Sequence, residues 1–312
     1  MIALYVCLGV LGAILVFYIF PTLFVSSVIY TILFVRTSKK KWSRNCSEDN
    51  EEQLRMFDEG KAWGEQNKEY CRSVEIKSGR YRLAAEYFDF GKKKCVIVIP
   101  GRMESGTYSY YFSDPYKQAG YNVLAIDNRS HGLSEGRINN LGLKEYKDIL
   151  QWGKFLHDSL GIEEVVLHGL CIGSATALYA LTDPSCPDYM TALVADGMYA
   201  DFTDSFKNHM IERNKPIFPF TCEVMGMVGL MAGRSVSKNA PIHYIGKLRK
   251  PILFIYSKKD TYSTPDKAQL LYDTATTEKK KLVWFDEGAH SHVRINAVEK
   301  YDQTIVDFLE EL

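Results

Sequence analysis

The sequence predicts an α/β protein with a mostly parallel, eight-stranded sheet, preceded by a membrane-spanning helix. Three observations carry this reading. From residue 70 onward short apolar runs alternate with longer amphipathic stretches, the rhythm of parallel strands covered by helices. The first 35 residues carry no charge. The stretch "VVLHGLCIGSATALYAL", residues 165–181, passes from an apolar strand through a glycine turn into a helix.

The chain of 312 residues is 46% hydrophobic and 13% aromatic, enough for one large core. Thirty-eight basic residues balance 38 acidic ones, which argues against nucleic acid or a strongly charged partner and places function in a local site. Seven cysteines show no C-x-x-C pair and no zinc spacing, so neither a metal nor another cofactor is expected. Free thiols in a reducing compartment suit this pattern, with a Cys46–Cys71 bridge in an outward-facing domain as the alternative.

Residues 1–35 exceed the roughly 20 apolar residues that span a bilayer. No Lys or Arg precedes the run, and it is too long for a cleaved signal, so the sequence predicts a single-pass anchor. A buried core helix of this length would show a polar face, and none is visible. Pro21 marks where the span ends, with residues 25–35 either continuing the helix or lying in the interface. Arg36, Lys39, Lys40, Lys41 and Arg44 follow and place the main domain on the cytoplasmic side. Residues 36–69 read as a basic juxtamembrane segment and a linker helix, with Leu54, Met56, Phe57 and Trp63 at helical spacing.

Residues 70–312 form the main domain. Strands are expected near 72–77, 81–88, 94–99, 122–126, 163–168, 191–196, 251–257 and 281–285. Only "SGR" separates the first two, which makes them an antiparallel hairpin at the sheet edge. Residues 201–240 carry "FPF" and "VMGMVGLMAG" but no strand, and read as a helical insertion that forms a lid or packs on the body.

G-x-x-x-G frames include those at 132–136, 169–173 and 229–233. "GLSEG" at 132–136 even satisfies G-x-S-x-G with Ser134 central, but it lies well past its strand and starts no helix. At Gly169 a strand ends and a helix begins, the context that lifts a nucleophile above the sheet edge, and Cys171 stands there. A thiolate at a helix N-terminus beside a histidine is a competent nucleophile; a small buried cysteine is the alternative. Asp260 follows one strand and His290 the last, in the order nucleophile, acid, histidine, at the sheet edge where open α/β folds bind ligands. His292 is the rival base, Asp286 and Asp196 the rival acids, and His168 is expected to have a structural role. Main-chain N–H groups of Ile172 and of Arg102 or Met103 are the candidate oxyanion donors, with Arg102 preferred.

With "VIVIPG", "AIDNRSHGLSEG", "LHGLCIGSA", "YSKKDTYSTP" and "EGAH" in this order, residues 70–312 resemble the α/β-hydrolase superfamily, and within it bacterial membrane-anchored members related to monoglyceride lipases and proline-iminopeptidase-like hydrolases. The resemblance implies that Asp127 to Gly136 is a structural loop at the edge of the site. Pro100 stands where the family has histidine, Ser130 where it has glycine, and Cys171 where it has serine. The expected function is hydrolysis of ester, thioester or lactone carbonyls of a small, hydrophobic acyl substrate. Transfer of the acyl group to an amine and a catalytically degenerate binding protein are the rival readings.

Overall fold

The computed structural model describes residues 1–45 and 50–312. Cys46 lies outside the described residues. Cys71 is a free thiol directed at the Glu86 carboxylate, 3.4 Å away.

The N-terminal element is one apolar helix, Ile2–Phe34, long and apolar enough to cross a membrane. It comprises α1 (Ile2–Ile14), a π-helical turn at Leu15–Ile19 and α2 (Phe20–Phe34). Pro21 does not end it. Proline lacks the N–H that would bind the preceding turn, and the π turn just before it accommodates that gap while the helix continues.

The segment after the helix is sewn to the domain. Lys41 Nζ donates to the last helical carbonyls, those of Thr31, Ile32 and Val35, where a cation opposes the negative end of the helix dipole. Arg36 donates to the Gly132 carbonyl at 2.8 Å, Trp42 is buried against the His131 ring, and Arg44 bridges Asp127 and Glu86. Three of the five basic residues that follow the helix, Arg36, Lys41 and Arg44, therefore make specific contacts within the protein; Lys39 and Lys40 stay exposed.

Helix α3 (Glu51–Gln66) starts where the Asn50 side chain caps the Gln53 N–H, and it buries Met56 and Phe57 while Leu54 stays exposed. The sheet then runs β1 (Cys71–Ser78), β2 (Tyr81–Phe88), β3 (Lys94–Ile99), β4 (Asn122–Ile126), β5 (Glu164–Leu170), β6 (Met190–Asp196), β7 (Ile252–Ser257) and β8 (Lys280–Phe285). Its spatial order is β1-β2-β4-β3-β5-β6-β7-β8. β2 is antiparallel to β1 and β4, and all other pairs are parallel. β3 and β5, buried on both faces, read as continuous apolar runs.

Helices cover both faces: short α4 (Gly106–Ser109) and α5 (Asp114–Gln118), then α6 (Tyr146–Leu160), α7 (Ile172–Leu181), α10 (Pro265–Thr274), α11 (Val293–Asn296) and α12 (Val298–Glu310). The 201–240 insertion folds as α8 (Phe202–Glu212) and α9 (Phe220–Ala232). α9 packs along α2, where Thr22 and Ser26 donate to the two oxygens of Glu223 at 2.8 and 2.6 Å.

The helix thus divides at Thr22. None of residues 1–21 is buried, whereas Ser26 and Phe34 are fully buried. Deleting residues 1–21 is expected to leave the melting temperature of the domain in detergent nearly unchanged. Deleting residues 1–40 removes the burial of Phe34 and the Arg36 contacts, and lowers it by roughly 5 °C or more. Equal melting of the two forms would refute this division.

Candidate active site

β5 ends at Leu170 and α7 begins at Ile172, leaving one residue, Cys171, to make the turn. Its backbone sits at φ 53°, ψ −108°, a region that L-residues avoid and that costs roughly 1–3 kcal/mol. Surrounding groups hold it there. Cys171 N–H donates to the Asp196 carbonyl at 2.8 Å, and the Ser174 hydroxyl bonds the carbonyls of Gly169 and Asp196. A Cβ on Gly169 would lie 2.2 Å from the Ser174 nitrogen, and one on Gly173 would lie 2.1 Å from the Ile99 oxygen. Glycine at both positions is a steric necessity, because the turn presses α7 against β3 and β5.

The loops after β7 and β8 converge on this turn. Asp260, 4% exposed, accepts the N–H groups of Tyr262 and Ser263 through Oδ1, both at 2.8 Å. Its Oδ2 meets His290 Nδ1 at 2.7 Å. The imidazole also interacts with the Cys171 side chain. Burial by itself would lower the His290 pKa, but the Cys171 and Asp260 side chains outweigh it and hold the imidazole well above its ordinary value. Gly197 at φ +60° admits the ring edge, since a Cβ there would stand 3.1 Å from His290 Cε1.

The rival residues are engaged elsewhere. His292 bonds Glu52 and Gln53 of α3, at 2.9 and 2.7 Å. Asp286 pairs with Lys258 on the surface. Ser134 is buried, donating to the Asp127 carbonyl and accepting the Ala84 N–H. Asp127 itself accepts from Gly106, Leu133 and Arg44, which makes 127–136 a structural loop; within it Ser130 occupies the left-handed region at φ 71°. Met103 N–H points to His131 Nε2 at 3.3 Å. Burial lowers the His131 pKa to about 4, so that ring is a neutral acceptor, and Met103 is committed to it. Ile172 occupies the first position of α7, where helix N–H groups lack intrahelical partners.

Asp196 and His168 form a separate buried pair bridged by the Tyr301 hydroxyl, 2.7 Å from Asp196 Oδ2 and 3.2 Å from His168 Nε2. Burial raises the Asp196 pKa to about 7 and lowers that of His168 to about 3. Asp196 Oδ1 has no partner among the described residues. A carboxyl whose folded-state pKa is raised contributes stability that is full below its unfolded value, about 3.9, and lost as pH rises through about 7. Asn at this position carries no such dependence. Asp196→Asn is therefore expected to gain stability over the wild type progressively between about pH 4 and pH 7, by up to a few kcal/mol, and to keep that gain above it in urea unfolding. A pH-independent difference would refute the assignment.

Cys171 and His290 line a cavity of about 440 Å³. One wall comes from sequence regions that no motif marks: Leu33 and Phe34 of α2, Asn50 and Gln53 at the start of α3, and Glu104. Glu104 accepts the Gly101 N–H at 2.8 Å and Gln53 Nε2 at 3.0 Å. Burial raises its pKa, against the opposing pull of those two donors. Arg102 extends away from the elbow, with Nη1 on the Leu33 carbonyl at 3.2 Å and its guanidinium over the Phe34 ring. Phe202 and Phe206 of α8 complete the apolar side, and His209, Glu212 and Tyr262 the polar side.

The family model for the alpha/beta hydrolase fold matches residues 94–215. The chain is 27% identical over 221 residues to the uncharacterized protein YqkD of Bacillus subtilis, covering 70% of each. It is 26% identical over 220 residues to the uncharacterized membrane protein YNL320W of Saccharomyces cerevisiae, covering 69% of this chain and 70% of that one. Among solved structures, the Pyrococcus furiosus esterase Pf2001 superposes with a TM-score of 0.67 at 22% identity, covering 80% of this chain and 93% of the esterase. Strand order, a strained turn between β5 and α7, and these likenesses agree: the chain has the α/β-hydrolase fold.

Proposed function

We propose that the protein is a membrane-anchored acyl hydrolase working through Cys171, His290 and Asp260. The observation that carries the reading is the line of contacts from Asp260 through His290 to Cys171 at the N-terminus of α7. A cysteine kept only for packing would not need a strained backbone or an imidazole held by a buried carboxylate.

In this reading Cys171 Sγ attacks the carbonyl carbon of an ester, thioester or lactone while His290 holds the thiol proton. The N–H groups of Ile172 and Arg102 receive the oxyanion. Collapse of the tetrahedral intermediate breaks the bond to the leaving group, which takes the proton from His290, and leaves a thioester on Cys171. Water, deprotonated by His290, then attacks that thioester and releases the acid and the thiol. Asp260 keeps Nδ1 of His290 occupied, so that Nε2 faces the reaction.

The apolar side of the cavity supports a hydrophobic acyl group. The apolar N-terminal helix, and the likeness to a yeast protein named as a membrane protein, support a single-pass anchor. Exposed Lys39 and Lys40 after the helix support a cytoplasmic main domain. No cofactor or metal enters this mechanism.

The test uses full-length protein in detergent with p-nitrophenyl esters and acyl thioesters, with and without an added primary amine. Hydrolysis predicts free acid as product whether or not amine is present. Accumulation of amide at the expense of acid would replace hydrolysis by acyl transfer. Wild-type protein that turns over no member of the panel would favour a binding protein.

A further inference from the structure

The N-terminal helix is longer than a span requires. Its 33 residues reach about 50 Å at a rise of 1.5 Å per residue, whereas a hydrocarbon core takes about 30 Å, or roughly 20 residues. Tilted by about 30°, within the ordinary range, its apolar residues from Ile2 to Leu33 span about 40 Å, the thickness of the hydrocarbon core with its headgroup layers; Thr22 is the first residue bonded to the domain. Yet α2 remains apolar on its outer side beyond this point. Phe20, Phe24, Val28 and Ile32, at four-residue spacing, are all exposed. Water would not favour such a stripe on a helix whose other side is already docked.

The lid carries a second stripe of the same kind. Phe218, 71% exposed, is followed at four-residue steps by Cys222, Gly226 and Leu230, the last 80% exposed. Arg213 and Lys215 precede this stripe and Arg234 and Lys238 follow it; Glu223, the sole acid between 213 and 238, is turned onto Thr22 and Ser26. An apolar face bordered by cations is the pattern of a segment seated in a phospholipid interface. The clasp between Glu223 and α2 fixes that segment beside the anchor.

Past the end of the α2 stripe, half-buried Leu33 and buried Phe34 line the cavity that holds Cys171. Phe34, itself buried, packs against Tyr30 and Phe202, so apolar packing joins α2 to the α8 wall of the cavity.

We propose that α2 and α9 rest on a phospholipid bilayer and that the cavity opens at the membrane interface past Leu33 and Phe34, taking a bilayer-resident acyl ester directly from the lipid. The substrate class builds on the acyl-hydrolase reading; the lipid contact does not depend on it.

Full-length protein is reconstituted in nanodiscs of phosphatidylcholine and phosphatidylglycerol with the photocrosslinker benzoylphenylalanine placed at Phe218, Leu230, Leu33 or Lys92. Phospholipid adducts are expected at the first three positions and none at Lys92, which lies in the exposed turn before β3 at the opposite sheet edge. Absence of adducts at Phe218 and Leu230 would overturn the surface, and absence at Leu33 alone would overturn the membrane-facing mouth.

In parallel, a long-chain ester carried in the disc and its short-chain, water-soluble homologue are compared. The double variant Phe218→Glu, Leu230→Glu is expected to lose about tenfold or more on the disc-borne ester and to keep its rate on the soluble one. Equal losses on both would overturn entry from the lipid. Adducts at all three positions with neither ester cleaved would support the lipid contact and overturn the acyl-hydrolase reading instead.

Discussion

Cys171→Ala is expected to reduce ester turnover by about 10⁴-fold or more, because in the proposed mechanism it removes the atom that forms the acyl-enzyme and leaves only binding and oxyanion stabilisation. The fold should survive the change. The Cys171 side chain is not what holds the turn; the Asp196 carbonyl, the Ser174 hydroxyl and the close packing of Gly169 and Gly173 do that. Cys171→Ser keeps a nucleophile at the same strained position and is expected to retain measurable turnover, although the hydroxyl needs a stronger base than the thiol. Rapid-mixing assays with a p-nitrophenyl ester read the outcome as a burst equal to the enzyme concentration in the wild type and no burst in Cys171→Ala. Turnover in Cys171→Ala within tenfold of the wild type would remove Cys171 from the mechanism.

Gly173→Ala is the second large effect. Its new Cβ would meet a main-chain oxygen, that of Ile99, at 2.1 Å, with the Pro100 oxygen at 3.1 Å. Neither can rotate aside as a side chain would, so α7 must move off β3. We expect a loss of about 3 kcal/mol or more, and a fall in ester turnover beyond that due to unfolding, since Ile99 and Pro100 lead into the loop carrying Arg102. Gly226→Ala is the control. It lies in α9, its added Cβ meets nothing within 4 Å, and the helix propensity of alanine predicts a change of zero to about 1 kcal/mol in the stabilising direction. Chemical denaturation of both variants decides the matter; equal stabilities would mean that the elbow is looser than its geometry indicates.

Much of the scaffold was legible because it is written locally. "KCVIVI" and "NVLAI" are short, apolar and bounded by turn residues, and they form β3 and β4 over the expected residues. The turn at Cys171 was legible for the same reason: strand, small residues and helix follow each other within 17 residues, 165–181. The order of Cys171, Asp260 and His290 along the chain placed all three at one sheet edge. Pro21 left open whether residues 25–35 continue the helix; they do, a π turn just before it absorbing the missing donor.

What stayed hidden depends on partners far apart in sequence. Nothing local in Phe34 announces that it packs on Phe202 beside the cavity, nor in Gln53 that it reaches both Glu104 and His292. The basic run after the helix spoke only to orientation, yet Arg36 and Arg44 hold carbonyls and carboxylates of the body. His290 and His292 are two residues apart in similar loop chemistry; only the positions of Asp260 and α3 assign one to the cysteine and the other to the linker helix.

The sequence by itself determined the alternation of strands and helices, the uncharged helix and the sharp turn bearing Cys171, because periodicity, glycine sterics and apolar length act over neighbouring residues. The tertiary structure alone decided which carboxylate meets which histidine, that α2 and α3 supply a wall of the cavity, and that α9 is clasped to α2. Those outcomes depend on hydrogen bonds and packing between segments up to about 240 residues apart, whose geometry exists only once the sheet has brought its loops together.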